Sequence, residues 1–441
     1  MAKSSFLKEV FKIAIPVALQ SMLQSSFSMI DQIMVGQLGE KSIAAVEIAG
    51  KPGFIYAFVL GAVGTIAGIM ISQYIGKEDC RAEEKSVCVN LAAAVLAGAF
   101  FLLISVLFSY KFVSLFSTDR DVISQGTAYL KYIGWAFIPM GVSNILGVAV
   151  RCRGRSSWPL YIGVISAVIN TGFNYILIFG KLGVPALGVI GAAYASVLSQ
   201  IVGAILSMVF FMKLYGRIGI SFSLGRDGYL QYFAMLFPVV INEFLWSVGQ
   251  SINTFVYGHM GTEELAGMSI TGSVQGLTIG ALSGLSQAAG ILIGKRLGEM
   301  KYEKAYDESK KLCVYGFIGS LCLSALMVLL RFPYVGVFRV SGDVRTVGAD
   351  IMIAFALLLP VKVQNMVLGG GIIRSGGRTK YIMIIDMIGT WLIGVPLVLL
   401  SGLVWKLPIV WVYFITSQEE MVRFLITIFM FRSRKWMNTI E

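Results

Sequence analysis

Residues 12–36, KIAIPVALQSMLQSSFSMIDQIMVG, and residues 231–256, QYFAMLFPVVINEFLWSVGQSINTFV, decide the fold of this 441-residue chain. Each is an apolar run longer than the ~20 helical residues that cross a bilayer. Each carries a proline early and a stripe of polar side chains after it. They also superpose by a shift along the chain. Phe11 meets Phe233, Pro16 meets Pro238, Val17 meets Val239 and Gly36 meets Gly258, all 222 residues on. The same shift pairs Gly39 with Gly261, Gly50 with Gly272 and Gly76 with Gly298. Shifts of 221 and 223 pair Pro139 with Pro360, Asn144 with Asn365, Arg151 with Arg374, Arg155 with Arg378 and Pro185 with Pro408. An offset of half the length, carrying proline and glycine landmarks, marks an internal duplication.

Ten further apolar runs bring the expected spans to twelve: 12–36, 53–75, 89–110, 126–148, 159–180, 187–212, 231–256, 268–294, 312–332, 347–370, 380–402 and 407–430. The composition agrees. Hydrophobic residues make up 56% of the chain and charged residues 14%, about half the ~25% of ordinary domains. The net charge of +12 sits in short gaps between apolar runs. A nucleic-acid binder would gather it on a polar surface, so no nucleic-acid partner is expected. The basic N-terminus MAKSSFLKEVFK runs into the first span without a small-residue cleavage site, which reads as mature protein. Loops on the N-terminal side hold twenty-four Lys and Arg against nine on the other side. Both termini are therefore expected in the cytoplasm. The expected fold is an all-α integral membrane protein of twelve transmembrane helices. Residues 1–222 form an N-lobe (helices 1–6) and 223–441 a C-lobe (helices 7–12). Six spans per half keep the two bundles parallel, related by a pseudo-two-fold axis along the membrane normal, an architecture suited to alternating access.

Polar groups inside hydrocarbon mark function by default, because each must be satisfied internally. In the first span Gln20, Gln24, Ser28 and Asp31 fall on one stripe at 100° per residue. In the fifth, Ser166, Asn170 and Asn174 share a face, and the fourth carries Asn144. These amides are candidates to complete a pocket with Asp31, whose carboxylate would exchange a proton or act as a Na⁺ ligand. The seventh span has a second stripe of Glu243, Ser247, Gln250 and Thr254. The eleventh has Asp386 and Thr390 one turn apart, and the tenth has Lys362, Gln364 and Asn365. Lys362 is placed to neutralise Asp386 or Glu243. Gln20, Glu243, Gln250 and Asp386 are the candidate cavity residues. Glu419 and Arg423, four apart, interrupt the last span and can pair on one face. Asp31 aligns with Asn253, and Glu243 with Ser21, so the scaffold repeats while the ionisable groups do not. The corresponding loops RCRGRSSW (151–158) and RSGGRTKY (374–381) read first as positive topology signals and second as gate contacts.

Several stretches resemble the MATE (multidrug and toxic compound extrusion) transporters. They are IPVALQSMLQSSFSMIDQIMVGQLGEKSIAAV (15–46), ISQYIGKED (71–79), PVVINEFLWSVGQ (238–250) and RSGGRTK (374–380). The resemblance covers nearly the whole chain. It implies an antiporter that expels organic cations in exchange for H⁺ or Na⁺. The DinF-like branch, which the first helix resembles, places cation coupling on an Asp after a Pro, helped by polar residues of helices four and five. Asp31, Gln24, Asn144, Asn170 and Asn174 occupy matching positions. That branch often has a second acid where this chain has Asn174. Glu243 matches a seventh-helix acid of many relatives. The tenth-helix acid of the NorM-like branch has no counterpart, and Asp386 is expected to take part of its role.

The expected function is a cation-coupled exporter of small lipophilic cations in the cell membrane, monomeric and without a cofactor beyond the coupling ion. A lipid-linked oligosaccharide flippase of the same superfamily would need a basic cavity for pyrophosphate, whereas the intramembrane groups are mainly acids and amides. An intramembrane enzyme would need a metal or nucleophile cluster. The five cysteines form no CxxC, the single His259 excludes HExxH, and GxxxxGK[ST] does not occur. A channel is disfavoured by the half-repeat. The topology is checked with single thiols in a background lacking the five native cysteines. A thiol at Gly342 is expected to react with a membrane-impermeant maleimide from outside, and one at Ser417 is not. Labelling of both would reject twelve spans.

Overall fold

The computed structural model describes residues 2–216, 224–338 and 340–440. Arg217 and Arg339, both counted among the loop charges, and the 222/223 lobe boundary lie outside the described residues. Eleven described helices are long and apolar enough to cross a membrane. They are α1 (Ala2–Gly36), α2 (Glu40–Lys77), α3 (Cys80–Ser114), α4 (Arg120–Cys152), α5 (Ser157–Phe179), α6 (Val189–Tyr215), α7 (Gly225–Met260), α8 (Thr262–Gly298), α9 (Tyr302–Gly336), α10 (Gly342–Ile373) and α11 (Thr379–Val404). The twelfth apolar stretch is two shorter pieces, α12 (Ile409–Thr416) and α13 (Glu419–Ser433). The chain breaks just before Glu419, Glu420 and Arg423, whose side chains turn inward and partner one another instead of facing lipid.

The helices outrun the apolar runs that mark them. α2 has 38 residues, about 57 Å at 1.5 Å per residue, against a hydrocarbon core of about 30 Å. Residues read as loops are therefore largely helical ends. Lys41 and Lys51, counted as loop charges, lie within α2, and Pro52 is accommodated inside it. Short turns suffice between such helices. Asp119 caps α4 by accepting from the amide of Asp121 at 2.8 Å, and Lys41 lies 3.1 Å away. That amide and the Lys41 ammonium hold the Asp119 carboxyl below the usual carboxylate range.

The sequence repeat reappears in backbone conformation. Glu78 after α2 has φ 59°, and Met300 after α8, 222 residues on, has φ 56°. Gly154 after α4 has φ 75°, and Gly377 after α10 has φ 73°. Left-handed residues are uncommon outside glycine, so their recurrence at the repeat offset reflects a shared helix–turn–helix geometry.

The chain packs as two compact units. One, unit A, comprises Leu19–Ile75 and Asp79–Gly225. The other, unit B, comprises Met1–Ala18, Gly76–Glu78 and Arg226–Glu441. In unit A the buried Tyr56 hydroxyl donates to the Phe137 carbonyl at 2.8 Å, with its ring among Phe101 and Phe137. In unit B, Phe355, Val363, Leu312 and Ile293 are fully buried. The first eighteen residues, assigned by the sequence to the N-lobe, pack with unit B for a specific reason. Gly284 of α8 lies directly against the backbone of Ala14, and a Cβ there would collide with the Ala14 carbonyl oxygen. Val10, Ile13 and Val17 are buried on the same stretch of α1.

Backbone cannot yield as a flexible side chain can. Gly284→Leu is expected to destabilise the protein by about 1–3 kcal/mol, seen as a lowered melting temperature in detergent. A Gly319→Leu control, at a position whose nearest neighbour is a side chain 3.7 Å away, should lose less. Equal losses would show that the Ala14 approach does not constrain the fold.

Candidate functional site

A cavity of about 320 Å³ opens within unit A. Its walls come from the inward stripes of α1, α4, α5 and α6. Gln20, Gln24, Ser28 and Asp31 line it from α1, Ser143 and Asn144 from α4, and Ser166 and Asn170 from α5. The stripes meet as their helical spacing implies. α6 adds a polar face not singled out in the sequence: Ser196, Ser199, Gln200, Gly203 and Ser207. Their spacing of three and four residues is the same amphipathic signal, hidden by small side chains in an apolar run. Gly203 faces Ser166, where a Cβ would stand 2.8 Å from its hydroxyl. Gly64 of α2 likewise makes room for Asn144 Oδ1.

Asp31 is half-buried at one end of this cavity. Asn174 Nδ2 donates to its Oδ1 at 2.7 Å and, when the Asn170 oxygen faces it, to Asn170 Oδ1 at 3.1 Å. The Asn170 amide admits two settings. With its nitrogen toward the carboxylate it donates to Asp31 Oδ1 at 2.7 Å and Oδ2 at 3.0 Å, and its oxygen accepts from Ser196. With its oxygen toward Asp31, its nitrogen donates to Ser196 at 3.2 Å. An ionised carboxylate only accepts and selects the first setting. A protonated carboxyl, or one sharing a cation with the amide oxygen, selects the second. Among the described residues no cation pairs with Asp31. Asn174 Oδ1 and Asn144 Oδ1 are buried without a hydrogen-bond partner among the described residues.

Arg151 corrects the reading of the 151–158 stretch as loop. It lies in the last turn of α4 and lines the cavity, its Nη1 donating to Gln20 Oε1 at 3.4 Å. Arg153 holds the buried Glu83 through two hydrogen bonds of 2.9 and 2.8 Å. The Tyr215 hydroxyl donates to Glu83 at 2.7 Å, with the guanidinium 4.1 Å from its ring centre. These arginines make structural contacts within unit A.

Unit B holds Glu243 and Asp386, each of which pairs with an arginine. Glu243 on α7 pairs with Arg374 at 3.9 Å. Asp386 on α11 accepts from Asn242 at 2.7 Å and pairs with Arg423 at 3.7 Å. Lys362 neutralises neither of them, contrary to expectation. Its ion-pair partner is Glu420, 4.0 Å away, which also accepts from Asn365 at 2.8 Å. The break before α13 presents Glu420 and Arg423 to those helices, a consequence of tertiary packing that helical spacing does not convey. Glu419 and Arg423 pair at 3.8 Å, as their separation of four implied. Gln250 is exposed on α7, and among the described residues its side chain joins no part of this network.

The MatE family model matches residues 16–176 and again 238–400, two segments whose starts lie 222 residues apart at Pro16 and Pro238. An uncharacterized transporter of Bacillus subtilis, YisQ, is 24% identical over 97% of this chain and 95% of its own length. A probable multidrug resistance protein NorM of Thermotoga maritima is 23% identical, over 97% and 93%. The crystal structure of the Vibrio cholerae MATE transporter VcmN in its bent form superposes with a TM-score of 0.88 at 16% identity. The match covers 99% of this chain and 99% of that one, and shows the same fold.

The Asp31 network predicts non-additive energetics. Asn174→Ala leaves a carboxylate short of a donor and is expected to cost about 1–3 kcal/mol. Asp31→Asn combined with it should cost less than the two single changes together, with a coupling of about 0.5–3 kcal/mol. Thermal unfolding in detergent measures the cycle, and simple additivity would mean the two side chains do not interact.

Proposed function

Because the chain belongs to the MatE family of membrane transporters, we propose that it is a secondary antiporter of the cell membrane. It exports lipophilic cationic drugs in exchange for H⁺ or Na⁺, with Asp31 as the coupling carboxylate. The observation that carries this reading is Asp31 itself: a half-buried acid in a polar cavity, held by amides and, among the described residues, paired with no fixed cation. A half-buried carboxylate with no fixed countercharge is stabilised by a proton or a cation that comes to it. A proton fits, since the Asn170 amide can turn its oxygen to accept from the carboxylic acid. Na⁺ fits as well. The Asp31 carboxylate and the oxygens of Asn170 and Asn174 would hold it, and the Asn174 oxygen has no other partner among the described residues. The cavity volume lies at the lower end of the ~300–1,000 Å³ usual for small-molecule sites.

The names of the relatives, multidrug resistance proteins among them, favour drug cations over a lipid-linked oligosaccharide. A flippase handling pyrophosphate would call for clustered bases, whereas this cavity has Arg151 among hydroxyls and amides. Exchange by alternating access of two six-helix lobes, a monomeric state and cytoplasmic termini complete the proposal. Gln20, Gln24 and Asn144 contribute the polar wall, while Glu243 and Asp386 act within unit B through their arginines.

Asp31→Asn keeps the side chain's size and removes its charge. The variant is expected to insert and fold, with gradient-driven dye efflux from proteoliposomes reduced to background. Asp31→Glu should retain part of it. Normal uphill efflux by the asparagine variant would reject Asp31 as the coupling group. Imposing Na⁺ and pH gradients separately identifies the ion.

A further inference from the structure

Unit B contains an acidic centre that is already filled. Asp386, Glu419 and Glu420 converge on one guanidinium, that of Arg423, whose Nε lies 3.7 Å from Asp386, Nη2 3.8 Å from Glu419 and Nη1 3.6 Å from Glu420. Nη2 also donates to the Thr390 hydroxyl at 2.7 Å. Arg423 is 8% exposed. The space it occupies is carved for it. α11 widens to a π-helix over Ile388–Gly394, a local form that recurs at functional sites. Two glycines of that segment face the cluster. A Cβ on Gly389 would stand 2.5 Å from Arg423 Cγ, and one on Gly394 would collide with Glu419 Oε2. Gly249 of α7 in turn makes room for the Thr390 methyl, 2.6 Å from its own Cβ position. Asn242 donates to Asp386 Oδ2 and Lys362 pairs with Glu420 Oε1, the oxygens turned from Arg423, while Asn365 donates to Glu420 Oε2, which Arg423 also faces.

The contrast with Asp31 gives the cluster its meaning. Unit A presents a lone acid to amides and leaves its countercharge to come from outside. Unit B presents three acids and brings the countercharge on its own chain. We propose that the Arg423 guanidinium is a tethered counter-ion, permanently seated where a mobile cation would otherwise bind. Asp31 is then the single exchangeable cation site among the described residues. Arg423 acts as a positioning residue: it sets how many ions the transporter couples by keeping the second acidic centre closed. The inference rests on the reading of Asp31 as the coupling carboxylate.

Two measurements on the full chain in proteoliposomes loaded with a lipophilic dye cation test it. The first is chemical rescue. Arg423→Ala leaves a cation-shaped space among three carboxylates. Its dye efflux is expected to fall about tenfold and to recover severalfold with millimolar guanidinium chloride. Equal tetramethylammonium chloride should not restore it. No difference between the two salts would overturn the tethered counter-ion. The second does not depend on the alanine variant folding. The number of coupling ions per dye is read from the balance point of opposed ion and dye gradients. It is expected to be one in the unsubstituted protein and in both Arg423→Lys and Glu420→Gln, with coupling lost in Asp31→Asn. A ratio of two that falls to one in Glu420→Gln, with Asp31→Asn also reduced, would overturn the inference and leave the Asp31 reading standing. Coupling that survives Asp31→Asn and is lost in Glu420→Gln would overturn both.

Discussion

Hydrocarbon offers no hydrogen bonds, so every polar group carried into it must find a partner within the protein. The rest of this structure follows from that constraint. It makes the chain helical, since helices satisfy their own backbone. It also decides where the irregularities fall. The last apolar stretch breaks before Glu419, Glu420 and Arg423 because a continuous lipid-facing helix would strand three ionisable groups. The breaks and π-helical turns of α10 and α11 lie in unit B, where charged side chains are packed together.

The two units meet the constraint in different ways on a repeated scaffold. The left-handed turns at Glu78 and Met300, and at Gly154 and Gly377, show how closely the scaffold repeats. The ionisable groups do not follow it. Unit A satisfies Asp31 with carboxamides, which can turn, and so the site can change partners when its charge changes. Unit B gathers Asp386, Glu419 and Glu420 around Arg423, whose charge is fixed, with Asn242, Asn365 and Lys362 as further partners. A duplicated fold thereby carries one acid held by amides and one cluster of acids around an arginine. Fold similarity to solved MATE structures, at 15–20% identity, speaks to the scaffold, and only the individual side chains speak to these sites.

Much of this was legible in the order of residues. The spans and their duplication were readable because apolar length and proline and glycine landmarks are local signals. The α1 and α5 stripes were readable because helical spacing puts Gln20, Gln24, Ser28 and Asp31 on one face and Asn170 with Asn174 on another. The serine face of α6 carried the same signal at lower contrast. The partners of Lys362, Asp386 and Glu243 were not readable. Each lies more than 30 residues away along the chain, and charge alone does not choose among several nearby acids.

The sequence by itself determined that this is a duplicated, many-span membrane protein, because hydropathy and proline and glycine landmarks are read along the chain, and its resemblance to the MATE family marked it as a transporter. It also nominated Asp31, because an acid inside an apolar run is costly wherever the helix goes. The tertiary structure alone decided what each charge meets. Side chains distant along the chain are joined by the packing of different helices, through glycine approaches such as Gly64 to Asn144 and Gly389 to Arg423. Those approaches leave Asp31 facing amides and enclose Arg423 among acids, and no pattern within one helix encodes them.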